Sequence, residues 1–252
     1  MSLYNDVFNA ALIYDMLFVD IQHVLIHKDY PTLLNSDEKL GKIWNFISKT
    51  QYNEKPEITY NKYAIEYPEF CKIITITYAE LSASGGGEQI RDLKQIKKHN
   101  ELVVISEFIN VLNRMSNDGL RSSPQYQKTI CGYNIKQIGI PLLMKRYLFH
   151  KENITTNIPF ILKYVLSSKP WETDAIIDIV DIWKFNGNKT TSLESIADFL
   201  NLKRMVDILT DIELSNYYWN TENSDEKFEF IGLQSATKIS IMTQLLNFLR
   251  VL

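Results

Sequence analysis

Apolar and polar positions change period several times along this chain, and each change predicts an element. MLFVDI, Met16 to Ile21, is apolar without alternation until Asp20, the pattern of a strand buried on both faces at a sheet centre. KIITITYAEL, from Lys72, alternates and is β-branched, which predicts a second strand. The glycines of SASGGGEQI predict a hairpin into RDLKQIKK. LVVISEFINVLNRM, from Leu102, has apolar residues at helical spacing. KTICGYN, from Lys128, is another short strand, and a helix is expected from about Pro141, a residue suited to a first helical turn. AIIDIVDIWKF, from Ala175, reads as partly strand. Thr191 and Glu194 are spaced as a capping box ahead of a helix in SLESIADFL. In the last segment, Ala236 to Leu252, a stripe of Ile239, Met242, Leu245, Leu246 and Leu249 predicts an amphipathic helix. Residues 28–70 are polar and aromatic, with Pro31, Pro56 and Pro68, and read as an excursion carrying one helix around 38–49. No internal repeat or low-complexity linker divides the chain. The order of elements predicts one α/β domain over 1–252, its core at 16–252, with a mixed sheet flanked by helices.

Composition adds limits. With 252 residues, 45% of them apolar, the chain can bury one good-sized core. No run of about 18 uncharged apolar residues predicts a membrane span, and MSLYNDVFNA lacks the layout of a signal peptide. Cys71 and Cys131 sit in apolar segments without metal-ligand spacing, so buried reduced thiols and a cytoplasmic setting are expected. Net charge is −3, which gives no global signal for nucleic acid. The charge is unevenly spread, however. No Asp or Glu occurs from Gly119 through Lys151, whereas Arg121, Lys128, Lys136, Lys145, Arg146 and Lys151 all lie there.

Several segments together resemble one family. They are LFVDI, YPEFCKIITIT, ICGYNIKQIGIPLLMKR, KPWE (Lys169–Glu172), DIVDIWKF (Asp178–Phe185) and SLESIADFL, in that order from about residue 16 to 203. The chain resembles the predicted 3′–5′ exonucleases related to the proofreading domain of family-B DNA polymerases, of the DEDD group. The resemblance implies an RNase H-like fold. It also implies hydrolysis of phosphodiesters by two divalent ions about 4 Å apart, Mg²⁺ or Mn²⁺, held by carboxylates.

Carried over position by position, that site is degenerate. The first acid is present as Asp20, but the acid expected two residues on is Gln22. The acid after the middle motif falls on Gly139, and that motif's usual His is Tyr133. On the last helix the expected Asp and its preceding Tyr fall on Ile239 and Ser235. Shifting the register does not restore the acids, because none occurs between Gly119 and Lys151 or after Glu229. A lone Asp cannot hold two Mg²⁺ ions against their hydration. Asp178 and Asp181 are the acids that could assist Asp20 in an unconventional site.

The remaining candidates each carry two readings. His23 is either an acid/base or a structural residue. Trp171 of KPWE and the NYYW cluster at Asn216–Trp219 either stack on bases or fill the core. Asn134, Lys136, Lys145 and Arg146 either track a phosphate backbone or form a face for an acidic partner or solvent. The sequence therefore points to a catalytically degenerate exonuclease-like scaffold that needs no cofactor. Its expected partners are single-stranded nucleic acid or a protein of a replication, phage or virion assembly, with no membrane. The competing expectation is an active metal-dependent 3′–5′ exonuclease centred on Asp20.

Overall fold

The computed structural model describes residues 16–84, 87–118, 129–159, 162–163, 176–185, 187 and 189–249. Strand β1 (Met16–Leu25) is followed by three helices, α1 (Tyr30–Ser36), α2 (Glu38–Ile47) and α3 (Pro56–Tyr63). A hairpin of β2 (Cys71–Ser84) and β3 (Gly87–Lys97) comes next, then helix α4 (Glu101–Asp118). Strand β4 (Thr129–Gly132) leads into α5 (Ile140–Phe149), and β5 (Ile176–Asp178) into α6 (Ile179–Trp183). The chain ends in α7 (Leu193–Phe199), α8 (Asp211–Asn220) and α9 (Ser224–Leu249).

The five strands form one mixed sheet in the order β3-β2-β1-β4-β5. β1 pairs antiparallel with β2 and parallel with β4, and β4 pairs parallel with β5. This is a mixed α/β sheet of RNase H-like order, with β1 at its centre. Side chains alternate between the faces of a strand. Leu17 and Val19 accordingly join a large apolar cluster with Phe108 and Leu143, while Phe18 joins a second with Ile239 and Met242.

Three details depart from the sequence reading. Residues 28–70 carry three helices, not one. Asp29 and Asp37 start the first two, accepting from Thr32 N at 2.9 Å and Leu40 N at 3.0 Å. The indole of Trp44 anchors this segment to the core, lying edge-on to Tyr60, Tyr67 and Phe70. Second, the cap of α7 is Ser192 rather than Thr191, its hydroxyl accepting from Ser195 N at 3.1 Å. Third, the last helix begins at Ser224, twelve residues before the Ala236 start expected from the sequence. Its first half buries Gln234, Ser235 and Thr237, so apolar periodicity fails there. Those polar groups are satisfied by specific partners: Gln234 accepts from Leu209 N and donates to Asp207 O, and Thr237 donates to Leu233 O.

Burial accounts for both cysteines. Cys71 and Cys131 are unpaired and within the core, and desolvation pushes both thiols up, keeping them protonated.

The buried charges sit on the same side of the sheet as α4 and α5. Glu101, the first residue of α4, accepts from Ile73 N at 2.6 Å and from Arg146 Nε at 2.9 Å. Its other oxygen takes Arg146 Nη2 at 2.5 Å and His150 Nε2 at 2.8 Å. This network ties the start of α4 to β2 and α5. It also corrects one expectation from the sequence: Arg146 does not face a phosphate backbone, because its guanidinium is buried against Glu101.

Candidate functional cleft

Short pairing between β1 and β4 creates the cleft. Among the described residues, β1 pairs with β4 through Met16–Phe18 and Thr129–Cys131, and β4 then ends at Gly132 while β1 continues through Asp20 to Leu25. The chain leaves β4 through Gly132, where a Cβ would lie 2.8 Å from Val19 O. Backbone cannot give way as a flexible side chain can, so glycine is required there. Asn134 follows with φ of 54°, a left-handed conformation that Asn tolerates better than most residues. Asp178, at the end of β5, fixes this turn. Its carboxylate accepts from Asn134 N at 2.8 Å, Lys136 N at 2.9 Å and Val180 N at 3.0 Å.

The resulting cleft measures about 270 Å³ and gathers residues from five parts of the fold. β1 contributes Asp20 and His23, and the turn after β4 contributes Asn134 and Gly139. The start of α7 contributes Glu194, the start of α8 contributes Asp211, and α9 contributes Lys238.

Asp20 is held by neutral donors. Its Oδ2 accepts from Gln22 Nε2 and from Ser235 Oγ, so the position where the resemblance leads one to expect a second carboxylate supplies an N–H. Ser235 is the residue of the last helix that faces Asp20. Ile239, the expected position of the last acid, does not line the cleft and packs in the cluster that holds Phe18 and Met242. Gly139 does line it, and brings no side-chain group.

The other candidates divide clearly. His23 is buried, with Nε2 3.9 Å from Asp211 Oδ2. Tyr133 donates its hydroxyl to Thr191 O, joining the β4 turn to the start of α7. Burial, aided by the charge of Asp178, pushes the Tyr133 phenol up to about 12. Lys136 Nζ pairs with Asp181 at 3.3 Å, and Lys145 Nζ with Glu69 at 3.0 Å. Neither Asp178 nor Asp181 lines the cleft with Asp20. In NYYW, Tyr218 is core and Trp219 donates to Leu25 O at 3.1 Å, and Lys72 Nζ lies over both rings. These aromatics have structural partners. Trp171, together with KPWE, lies outside the described residues.

The donor set does not fit two divalent ions. Of the carried-over positions only Asp20 supplies an anionic oxygen, and Mg²⁺ requires several. Among the described residues, no three His, Cys, Asp or Glu side chains are grouped to hold a metal ion.

Lys238 and Asp211 are the cleft residues that sequence reasoning missed. A signal for Lys238 was present: it is the single cation between Lys227 and Arg250, one residue from the expected acid position. For Asp211 there was none, since α8 reaches the cleft only through the tertiary fold.

Asp178 gives a pH prediction. Burial raises its pKa above 3.8, against the lowering effect of the three backbone N–H groups. The folded state therefore binds this proton more tightly than the unfolded state does. Its contribution is fully present below 3.8 and is lost as pH rises through the folded value. In urea unfolding at a series of pH values, the stability of wild type relative to Asp178→Asn should fall as pH rises across that window. A pH-independent difference between the two would contradict this assignment.

No protein-family model matches the chain, and no curated protein does.

Proposed function

We propose that this protein is a catalytically degenerate 3′–5′ exonuclease-like protein that acts by binding, as an interaction scaffold. The observation that carries the reading is the dressing of Asp20. Its carboxylate is bonded to an amide and a hydroxyl where hydrolysis would need further carboxylates and metal ions. A fold does not carry its chemistry once the site has been replaced.

Between nucleic acid and protein as the scaffold's partner, the cations favour protein. Arg146 is buried in an ion pair, and Lys136 and Lys145 each have a carboxylate within 3.3 Å. A strip that tracks phosphates needs cations free to replace counterions.

The test uses 3′-labelled single-stranded DNA with Mg²⁺ or Mn²⁺, with Asp20→Ala as control. The labelled strand is expected to keep its full length with both proteins. Shortening by wild type that is lost in Asp20→Ala would establish instead an active exonuclease with an unconventional metal site.

A further inference from the structure

We propose that the cleft binds a small zwitterion of the α-amino acid class, one with an aliphatic side chain. The proposal rests on the reading of the cleft as non-hydrolytic and assigns it a ligand.

The argument starts from groups in the cleft that the protein leaves without partners, and they are of both signs. Lys238 has no ion-pair partner among the described residues, although it lines the cleft and is half-buried. Asp20 uses Oδ2 for both of its side-chain hydrogen bonds among the described residues, which leaves Oδ1 without a donor among them. Glu194, by contrast, is taken by Arg204 at 3.2 Å.

A simple anion would answer Lys238 but would face the acceptor of Asp20. A simple amine would answer that acceptor and leave Lys238 unmatched. A ligand bearing both an ammonium and a carboxylate satisfies both. Charge separates this class from nucleotides. With Glu194 and Arg204 set against each other, Asp20 and Asp211 outweigh Lys238, so a multiply charged phosphate is repelled and a neutral zwitterion is not.

Size and polarity point the same way. At about 270 Å³ the cleft lies just under the range of about 300–1,000 Å³ typical of drug-sized ligands, which suits one small metabolite. Its apolar wall is aliphatic, formed by Ile21, Ile138, Leu193 and Ile208, and matches a branched hydrocarbon side chain. In this arrangement the ammonium meets Asp20 Oδ1 and the carboxylate meets Lys238.

The test is calorimetric titration of the full chain with three probes that share one hydrocarbon. L-Leucine carries both charges, 3-methylbutylamine lacks the carboxylate, and 4-methylpentanoate lacks the ammonium. Saturable binding of L-leucine is expected, with each truncated probe about tenfold or more weaker. Lys238→Met, which keeps the aliphatic stem, should reduce leucine to the affinity of the amine and leave the amine unchanged. Equal affinity for the three probes, or no binding of L-leucine at millimolar concentration, would overturn the proposal. The probe comparison in wild type stands even if the variant fails to fold. The two readings also fail separately: absent leucine binding overturns the ligand alone, whereas shortening of DNA in the nuclease assay overturns the non-hydrolytic cleft beneath it.

Discussion

Glu101→Ala is expected to destabilise the protein by about 3–5 kcal/mol, the cost of removing one partner from a buried ion pair. The substitution leaves the Arg146 guanidinium, 6% exposed, without its carboxylate. It also removes the acceptor of Ile73 N and of His150 Nε2. Denaturant unfolding monitored by circular dichroism measures the loss as a lower midpoint at unchanged slope. Arg146→Met should cost a similar amount, because it leaves the buried carboxylate unpaired. The double variant Glu101→Leu/Arg146→Met distinguishes charge from packing, since apolar replacement of a whole buried pair is often neutral. Here recovery should be incomplete. Ile73 N remains without an acceptor, which holds back about 1–3 kcal/mol. Full recovery would show that the backbone bond contributes nothing.

Trp44→Ala is expected to cost about 3–5 kcal/mol, the range for deleting a large buried aromatic. Trp44 is fully buried, with ring centroids 5.0 Å from Phe70, 5.5 Å from Tyr67 and 5.7 Å from Tyr60. Its Nε1 donates to Pro56 O at 3.1 Å, a hydrogen bond that truncation removes. The form of the unfolding curve matters as much as the midpoint. Trp44, Tyr60 and Phe70 share one apolar cluster with Leu17 and Val19 of β1 and Ile73 of β2. The variant should therefore unfold in a single transition by fluorescence and by circular dichroism alike. Two separated transitions would mean that residues 30–70 form an appended unit, not part of the core.

Both predictions concern parts of the molecule that differed in legibility. The strands were plain in the sequence, because β-branched apolar runs such as MLFV and KIITIT have few alternatives to a buried sheet. The helices of residues 30–63 were less so. Their start signals, Asp29 before Pro31 and Asp37 before Glu38, are local and readable. Their buried face, however, is mainly aromatic and spread over several short turns, which gives no sustained period. The first half of α9 was hidden for a different reason: it buries Gln234 and Ser235 beside Phe228 and Ile231, and the polar pair depend on partners far away in the chain, such as Asp20 for Ser235.

The candidate cleft shows the same division. From the sequence alone came the presence of Asp20, of Gln22 two residues on, and of two tracts without acids. Those are matters of composition and order, and no folding can supply a carboxylate that the chain lacks. The tertiary structure decided which groups meet. It turned Gln22 and Ser235 into donors to Asp20, buried Arg146 against Glu101, and used Asp178 as the staple of a turn. It also brought Lys238 and Asp211 to the same cleft from two helices. A residue's chemical capacity is written in its type. Its partners depend on which strands and helices pack together, and that is set by burial over the whole chain.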